Sequence, residues 1–93
     1  MLRIEWDEGS RPPTLRLEGK LSGPWVEEVE RVWATVRTMS SHPIVDLTDV
    51  TFVAAQGRQA LAAMLRQGAE LRGTPLMGFT IERIKLESLE TPN

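Results

Sequence analysis

The stretch from Pro24 to Met39 constrains this chain more than any other. Its apolar residues are Trp25, Val26, Val29, Val32, Trp33, Val36 and Met39. At about 100° per residue they fall within an arc of roughly 140°, and Glu27, Glu28, Glu30, Arg31, Thr35, Arg37 and Thr38 take the other side. Gly23-Pro24 opens this helix, because the N–H that proline lacks has no intrahelical partner in the first turn. Glu27 and Glu28 lie near the positive end of the helix dipole. Such a helix is stable only with its apolar stripe buried, so the rest of the chain must provide a surface for it. Both tryptophans lie on the stripe and are expected to pack in the core.

That surface is expected to be a sheet. Leu2, Ile4 and Trp6 alternate with Arg3 and Glu5, the period-2 signature of a half-buried strand. Asp7 to Pro13 collects Gly9, Ser10, Pro12 and Pro13 and reads as a loop. Thr14 to Glu18 alternates again, with Leu15 and Leu17 on one face, and Gly19 is expected to end it. Two such strands around a short loop suggest an antiparallel pair. After the helix, Ser40 to Pro43 is a break, and Ile44-Val45-Asp46-Leu47 has the composition of a central strand buried on both faces. Val50 to Val53 is a second short apolar run. Gln56 or Gly57 through Leu71 reads as the second helix, with Leu61, Met64, Leu65, Gly68 and Leu71 on one side and Arg72-Gly73 as its stop. Thr74 to Thr80, with Leu76, Met77 and Phe79, reads as a further buried strand. Ile81 to Glu90 is a third helix, whose Ile81, Ile84, Leu86 and Leu89 do not share one face and leave apolar surface for self-association or for a partner.

The expected order is therefore β-β-α-β-α-β-α. It implies a small α/β domain in which helices pack on a mixed, partly parallel sheet. One domain is expected over residues 1–90, with a loose tail at 91–93. The expected core is Trp25, Val29, Trp33, Val36, Val45, Leu47, Leu61, Leu65 and Phe79.

Composition narrows the function. There is no cysteine, which removes disulfides, thiolate metal sites and cysteine nucleophiles. A single histidine, His42, stands in a loop before Pro43 and reads as an exposed loop residue rather than a zinc ligand or proton relay. Eleven Lys and Arg against thirteen Asp and Glu argue against nucleic-acid binding by charge. The arginines at 58, 66 and 72 form no single stripe. No apolar run approaches the eighteen or so residues of a membrane span, and the first residues lack a signal-peptide pattern. No glycine-rich phosphate loop occurs. Asp46 and Asp49 lie near the end of a central strand, where two acids could hold Mg²⁺. The simpler reading is that Asp46 binds nearby backbone and Asp49 caps a turn. A cytoplasmic, cofactor-free, non-enzymatic binding domain is the expectation.

Two segments carry a resemblance. Ile44-Val45-Asp46-Leu47-Thr48-Asp49-Val50-Thr51-Phe52-Val53-Ala54-Ala55-Gln56-Gly57 resembles the signature of STAS domains (sulfate transporter and anti-sigma-factor antagonist), V-D-L-S-x-V-x-F-I-D-S-S-G. Leu15-Arg16-Leu17-Glu18-Gly19-Lys20-Leu21 is similar to the family's L-x-L-x-G-x-L. The resemblance spans the chain to about Ile84 and agrees with the element order. It implies regulation by protein contact. In stand-alone bacterial members the loop before the second helix docks on an anti-sigma factor, often a serine kinase, and phosphorylation of a loop Ser breaks that contact through added charge and desolvation.

This sequence departs from the pattern in that loop. Ala54 replaces the Asp, Ala55 the phosphorylated Ser and Gln56 the next Ser, so Ala55 is a degenerate acceptor position. The resemblance implies a partner-binding surface of Val53, Ala54, Ala55, Gln56, Gly57 and Arg58, with Asp49 and Thr51 at its rim. The leading expectation is an anti-sigma-factor-antagonist-like module that cannot be phosphorylated at Ala55, bound to an anti-sigma factor or kinase-like regulator. A second is an accessory subunit of a lipid-transporting ABC complex, bound to its ATPase subunit. A third is a small-molecule binder or enzyme using Asp46 and Asp49.

Overall fold

A computed structural model describes residues 1–90. The expected tail at 91–93 lies outside the described residues. The elements are β1 (Leu2–Asp7), β2 (Thr14–Leu21), α1 (Pro24–Met39), β3 (Ile44–Val53), α2 (Ala55–Arg66), β4 (Glu70–Arg72), a 3₁₀ turn (Pro75–Met77) and α3 (Gly78–Ser88). The sheet order is β1-β2-β3-β4. Strands β1 and β2 are antiparallel, while β2–β3 and β3–β4 are parallel. The order β-β-α-β-α-β-α and the mixed sheet are as the sequence indicates.

The register explains why the strands alternate. Trp6, Leu15, Val45 and Leu71 are aligned across all four strands and face the core. One step along, Glu5, Arg16, Asp46 and Arg72 are aligned on the opposite face, so charge alternates in sign along the row. Directly opposed unlike charges support strand pairing, and slipping any strand by one residue would drive a charge into the core. Arg16 Nη1 lies 3.7 Å from Glu5 Oε1 and 2.9 Å from Asp7 Oδ2. Among the described residues no helix layer covers Arg3, Glu5, Glu18 and Thr48 on this second face, and all four are exposed. Strand β3 is central, as expected, but the sheet is covered on one side only, so Asp46 and Thr48 face outward rather than into a second layer.

On the covered face, α1 packs over β1 and β2, and α2 packs over β3 and against both α1 and α3. Val26, Val29, Trp33 and Val36 are the buried stripe of α1. Trp33 keeps its polar edge satisfied: its Nε1 donates to Gln67 Oε1 at 2.6 Å, tying α1 to the end of α2. Trp25 and Leu65, expected in the core, are only partly buried at its margin, and Met39 at the last turn of α1 is exposed.

Five boundaries differ from the sequence reading. Strand β2 continues through Gly19 to Leu21. Val50 to Val53 is the second half of β3 rather than a separate element. Helix α2 stops at Arg66 instead of Leu71, because Gly68 takes φ +109° and a β-carbon there would stand 2.6 Å from the Ser41 carbonyl oxygen. The helical spacing of Leu61, Met64, Leu65, Gly68 and Leu71 therefore outlives the helix, and Leu71 is buried from β4. The strand expected at Thr74–Thr80 is displaced to Glu70–Arg72. Pro75 begins a 3₁₀ turn that leads directly into α3 at Gly78, not at Ile81. A short apolar run cannot by itself distinguish strand from helix. As a result Phe79, expected in the core, is exposed on α3.

The β1–β2 loop is held by Asp7. Its Oδ1 accepts from the N–H groups of Gly9 and Ser10 at 3.0 and 3.1 Å, and its Oδ2 accepts from Arg16. The Arg16 guanidinium, helped by the Ser10 and Gly9 N–H groups, holds the Asp7 carboxyl below its usual range. A carboxyl depressed in the folded state contributes stability that is complete above its ordinary value of about 3.9 and is lost as the pH falls through its lower folded value. Asp7→Asn keeps the side-chain carbonyl for the loop but loses the ion pair. Its melting temperature is expected to lie below the parent's at pH 7, with the gap closing as the pH is lowered past the carboxylate range. A gap independent of pH would mean that the pair contributes nothing.

Candidate protein-docking site

The two sequence motifs meet in space at the end of the parallel β2–β3 pair. The Ala54 N–H donates to the Leu21 carbonyl at 3.0 Å, which brings the chain leaving β3 over the end of β2. Gly57, in the first turn of α2, is buried against the same residue. A β-carbon at Gly57 would stand 2.9 Å from both Leu21 Cγ and the Leu21 carbonyl oxygen, and 3.2 Å from Val53 Cγ1. The glycine therefore lets the start of α2 lie directly on the strand ends. It supports the loop from beneath, while Ala55 and Gln56 are exposed above it.

Helix α2 begins without a side-chain cap among the described residues; Ala54, extended at φ −72° and ψ 166°, occupies the N-cap position. The Ala54 carbonyl accepts from Arg58 N–H at 2.9 Å. The earlier N–H groups of a helix have no intrahelical acceptor, and here no hydroxyl or carboxylate side chain covers them. From Val53 to Gly57 there is no ionisable side chain. The loop thus offers small apolar side chains and backbone donors to whatever approaches.

Strand β3 reaches this loop through two irregularities. Between the Arg16–Asp46 and Glu18–Asp49 pairs β3 advances three residues while β2 advances two. Asp46 Oδ1 takes up the bulge by accepting from Thr48 N–H at 2.9 Å and from the Thr48 hydroxyl. This is the backbone role expected of Asp46. Between Gly19–Val50 and Lys20–Phe52, β3 again carries one extra residue, Thr51, whose hydroxyl donates to the Gly19 carbonyl at 3.3 Å. The first bulge resets the alternation so that Val50, like Leu47, faces the core, and the second leaves Phe52 exposed. Asp49 lies within β3 opposite Glu18 and caps no turn, which corrects the reading from sequence.

The two rim residues and Arg58 are therefore separated by role. Asp49 is on the uncovered sheet face, Thr51 is held in the bulge, and Arg58 is turned to α3, where its Nε lies 3.3 Å from Glu87 Oε1 with both side chains about three-quarters buried (26% exposed). Ala55 and Arg58 share a groove between α2 and α3 with Gln59, Ala62, Phe79 and Leu86. The exposed Phe52, Leu76 and Phe79 line a second cleft that Arg58 also borders. The sequence pointed to apolar surface on the last helix at Leu86 and Leu89, but not to the exposure of Phe52, Leu76 and Phe79.

No described helix is long and apolar enough to cross a membrane. Among the described residues no three His, Cys, Asp or Glu side chains converge as a metal site.

The fold defines the class: a small α/β domain of the STAS-like type, with a four-stranded mixed sheet and three α-helices. Among solved structures, the anti-sigma factor antagonist SpoIIAA in its unphosphorylated form matches over 86% of this chain and 82% of its own, with a TM-score of 0.67 and 18% identity. The structure of Mglu matches over 74% of this chain at a TM-score of 0.59 and 18% identity, but this covers only 18% of that chain. No family model matches the chain. No curated protein matches it either.

The contact between Gly57 and Leu21 generates a prediction. Helix propensity alone would favour alanine over glycine by about 1 kcal/mol. The clash is with a backbone oxygen, which cannot rotate away, and overpacking of this kind costs about 1–3 kcal/mol. With the propensity gain set against the clash, Gly57→Ala is expected to be destabilising by a net of about 1 kcal/mol in a denaturant titration. A stabilised variant would show that the start of α2 stands off the strand ends.

Proposed function

We propose that this chain is a non-catalytic regulatory module that acts by binding another protein, as an anti-sigma-factor antagonist does, with the β3–α2 loop at the centre of its docking surface. The proposed contact residues are Val53, Ala54, Ala55, Gln56 and Arg58 above the buried support of Gly57, with Asp49 and Thr51 at the rim. The proposed partner is an anti-sigma factor or kinase-like regulator in the cytoplasm. The observation that carries the reading is an exposed Ala55 at the uncapped start of α2, on a fold shared with SpoIIAA. Small side chains let a partner's acceptor groups approach the unsatisfied N–H groups closely. An exposed Phe52 beside them adds apolar area.

The same residues argue against a phospho-switch at this place. Ala55 has no hydroxyl. Of the nearby hydroxyls, Thr48 donates to Asp46 and Thr51 to the Gly19 carbonyl. The contact is thus proposed to be constitutive. Incubation with ATP and candidate anti-sigma kinases is expected to leave the mass of the chain unchanged. A stoichiometric phosphate mapped to Ser22, Thr48 or Thr51 would overturn this, because the acceptor would only have moved.

Ala55→Glu tests the docking surface. A carboxylate near a helix N-terminus stabilises an exposed position by about 0.3–1 kcal/mol, so the melt is expected to stay level or rise slightly. Buried in an interface without a counter-charge, the same group is expected to weaken partner binding about tenfold or more. Binding is read by pull-down from host lysate alongside the melt. Retained binding with an intact melt would place the partner elsewhere, and a collapsed melt would mean that the loop packs inward.

A further inference from the structure

Strand β1 is one edge of the sheet, and among the described residues no strand pairs with its outer side. It is six residues long and carries no proline, no lysine and no bulge against β2. The other edge, β4, is only three residues long. Short strands, prolines, lysines and bulges are the usual means by which an edge is kept from pairing with another chain, and β1 uses none of them.

Hydrogen bonds on either side of β2 fix which groups face the open edge. The Lys20 N–H donates to the Met1 carbonyl at 3.2 Å, whereas the Leu21 and Pro13 carbonyls accept from Ala54 and Ile44 on the β3 side at 3.0 and 2.9 Å. Even-numbered residues of β2 therefore turn their backbone groups to β1. Their partners are Arg3, Glu5 and Asp7, so Leu2, Ile4 and Trp6 point their N–H and C=O groups away from the sheet. The side chains of Ile4 and Trp6 are only partly buried at the margin of the core.

A second β1 laid antiparallel on this edge can bond only through Leu2, Ile4 and Trp6, so these residues must oppose one another. A twofold axis at Arg3 or at Glu5 would set that charge against its own copy. An axis at Ile4 sets Ile4 against its copy, Leu2 against Trp6, and Arg3 against Glu5 on both sides. Unlike charges directly opposed support strand pairing, and like charges oppose it. The outer row then keeps its alternation across the axis: Arg16 and Glu5 of one copy are followed by Arg3 and Glu18 of the other. The present pair of Arg3 with Glu5, 3.8 Å apart within one strand and exposed, is weak and does not compete.

The helices fit the same axis. Helix α1 packs over β1 and β2. With strands about 4.8 Å apart, the two copies of α1 run antiparallel about 10 Å from each other, the usual spacing of packed helices. The flank that each turns to the other lies away from the cleft that Val26, Glu27 and Glu30 line with α2, and it carries the partly buried Trp25 and Val32.

We propose that β1 pairs with a second copy of itself, antiparallel and centred on Ile4, so that two chains form a homodimer with one continuous sheet. One self-complementary patch serves both sides, as a twofold interface requires. The inference goes beyond the docking reading and does not rest on it, because it uses no residue from Asp49 to Arg58.

Sedimentation equilibrium on the full chain tests it. The parent is expected to be a dimer at tens of micromolar. Arg3→Glu sets acid against acid on both sides of the axis and Glu5→Arg sets base against base, so each variant alone is expected to raise the dissociation constant about tenfold. Mixed in equal amounts, the two variants restore both unlike pairs and are expected to associate to within about threefold of the parent. Both positions are exposed, so the far-UV spectra are expected to match the parent's. Amide exchange reads the backbone: the N–H groups of Ile4 and Trp6 are expected to be protected at high protein concentration and released on dilution, while those of Arg3 and Glu5 stay protected throughout. A parent that stays monomeric at about 100 µM overturns the proposal, also when the edge takes up a strand of a different protein. A dimer indifferent to the single variants, a mixture that fails to recover, or exchange at Ile4 and Trp6 that ignores concentration overturns the stated pairing.

Discussion

The structure depends on the register of the parallel β2–β3 pair. Once Leu15 is opposite Val45 and Arg16 opposite Asp46, the inner face of the sheet is apolar from Trp6 to Leu71 and the outer face alternates in charge from Glu5 to Arg72. A two-layer domain of this size has a single core, so that inner face must be matched by helices, and α1 and α2 supply the match. The outer row does not need burial to act. It makes every slipped register costly, because slippage would exchange a charged row for an apolar one.

The same register positions the candidate site. Strand β2 ends at Leu21, and β3 ends beside it at Val53 only because two extra residues are absorbed as bulges along β3. The Leu21 carbonyl accepts from Ala54, and the Leu21 side chain lies under Gly57. The turn from strand to helix is therefore anchored on both its backbone and its packing. What it presents outward, Ala55 and Gln56, is free of those duties. The segment from Val53 to Gly57 carries no ionisable side chain, and α2 starts there without a side-chain cap.

Around this loop, large apolar side chains are kept in water. Phe52 is turned out by the Thr51 bulge, and Phe79 and Leu86 by the rotation of α3 that buries Ile84. The Arg58–Glu87 pair links α2 to α3 across the groove between them. Loop, groove and α3 thus form neighbouring surfaces that share a border at Ala55 and Arg58.

Much of this was legible in the residues. Periodicity located β1, β2 and α1, because a 2-residue or 3.6-residue repeat over a sufficient length fits one backbone only, while β-branched composition located the first half of β3. The element order and the position of the loop before α2 could be read from the resemblance of two short segments, and Leu21 and Gly57 from those segments do touch. Short runs were another matter. Thr74 to Thr80 reads as a buried strand, yet Pro75 and the close approach of Gly68 to Ser41 place the strand earlier and make this run a helix start, exposing Phe79. Which side of α3 is buried, where β3 bulges, and that Asp49 stands in the sheet opposite Glu18 are consequences of long-range contacts. The sequence by itself determined the periodic elements and the chemistry of the loop, since both are local properties of neighbouring side chains. Only the tertiary structure decided which apolar residues remain in water, because that depends on which faces find a partner after the register of the sheet has been set.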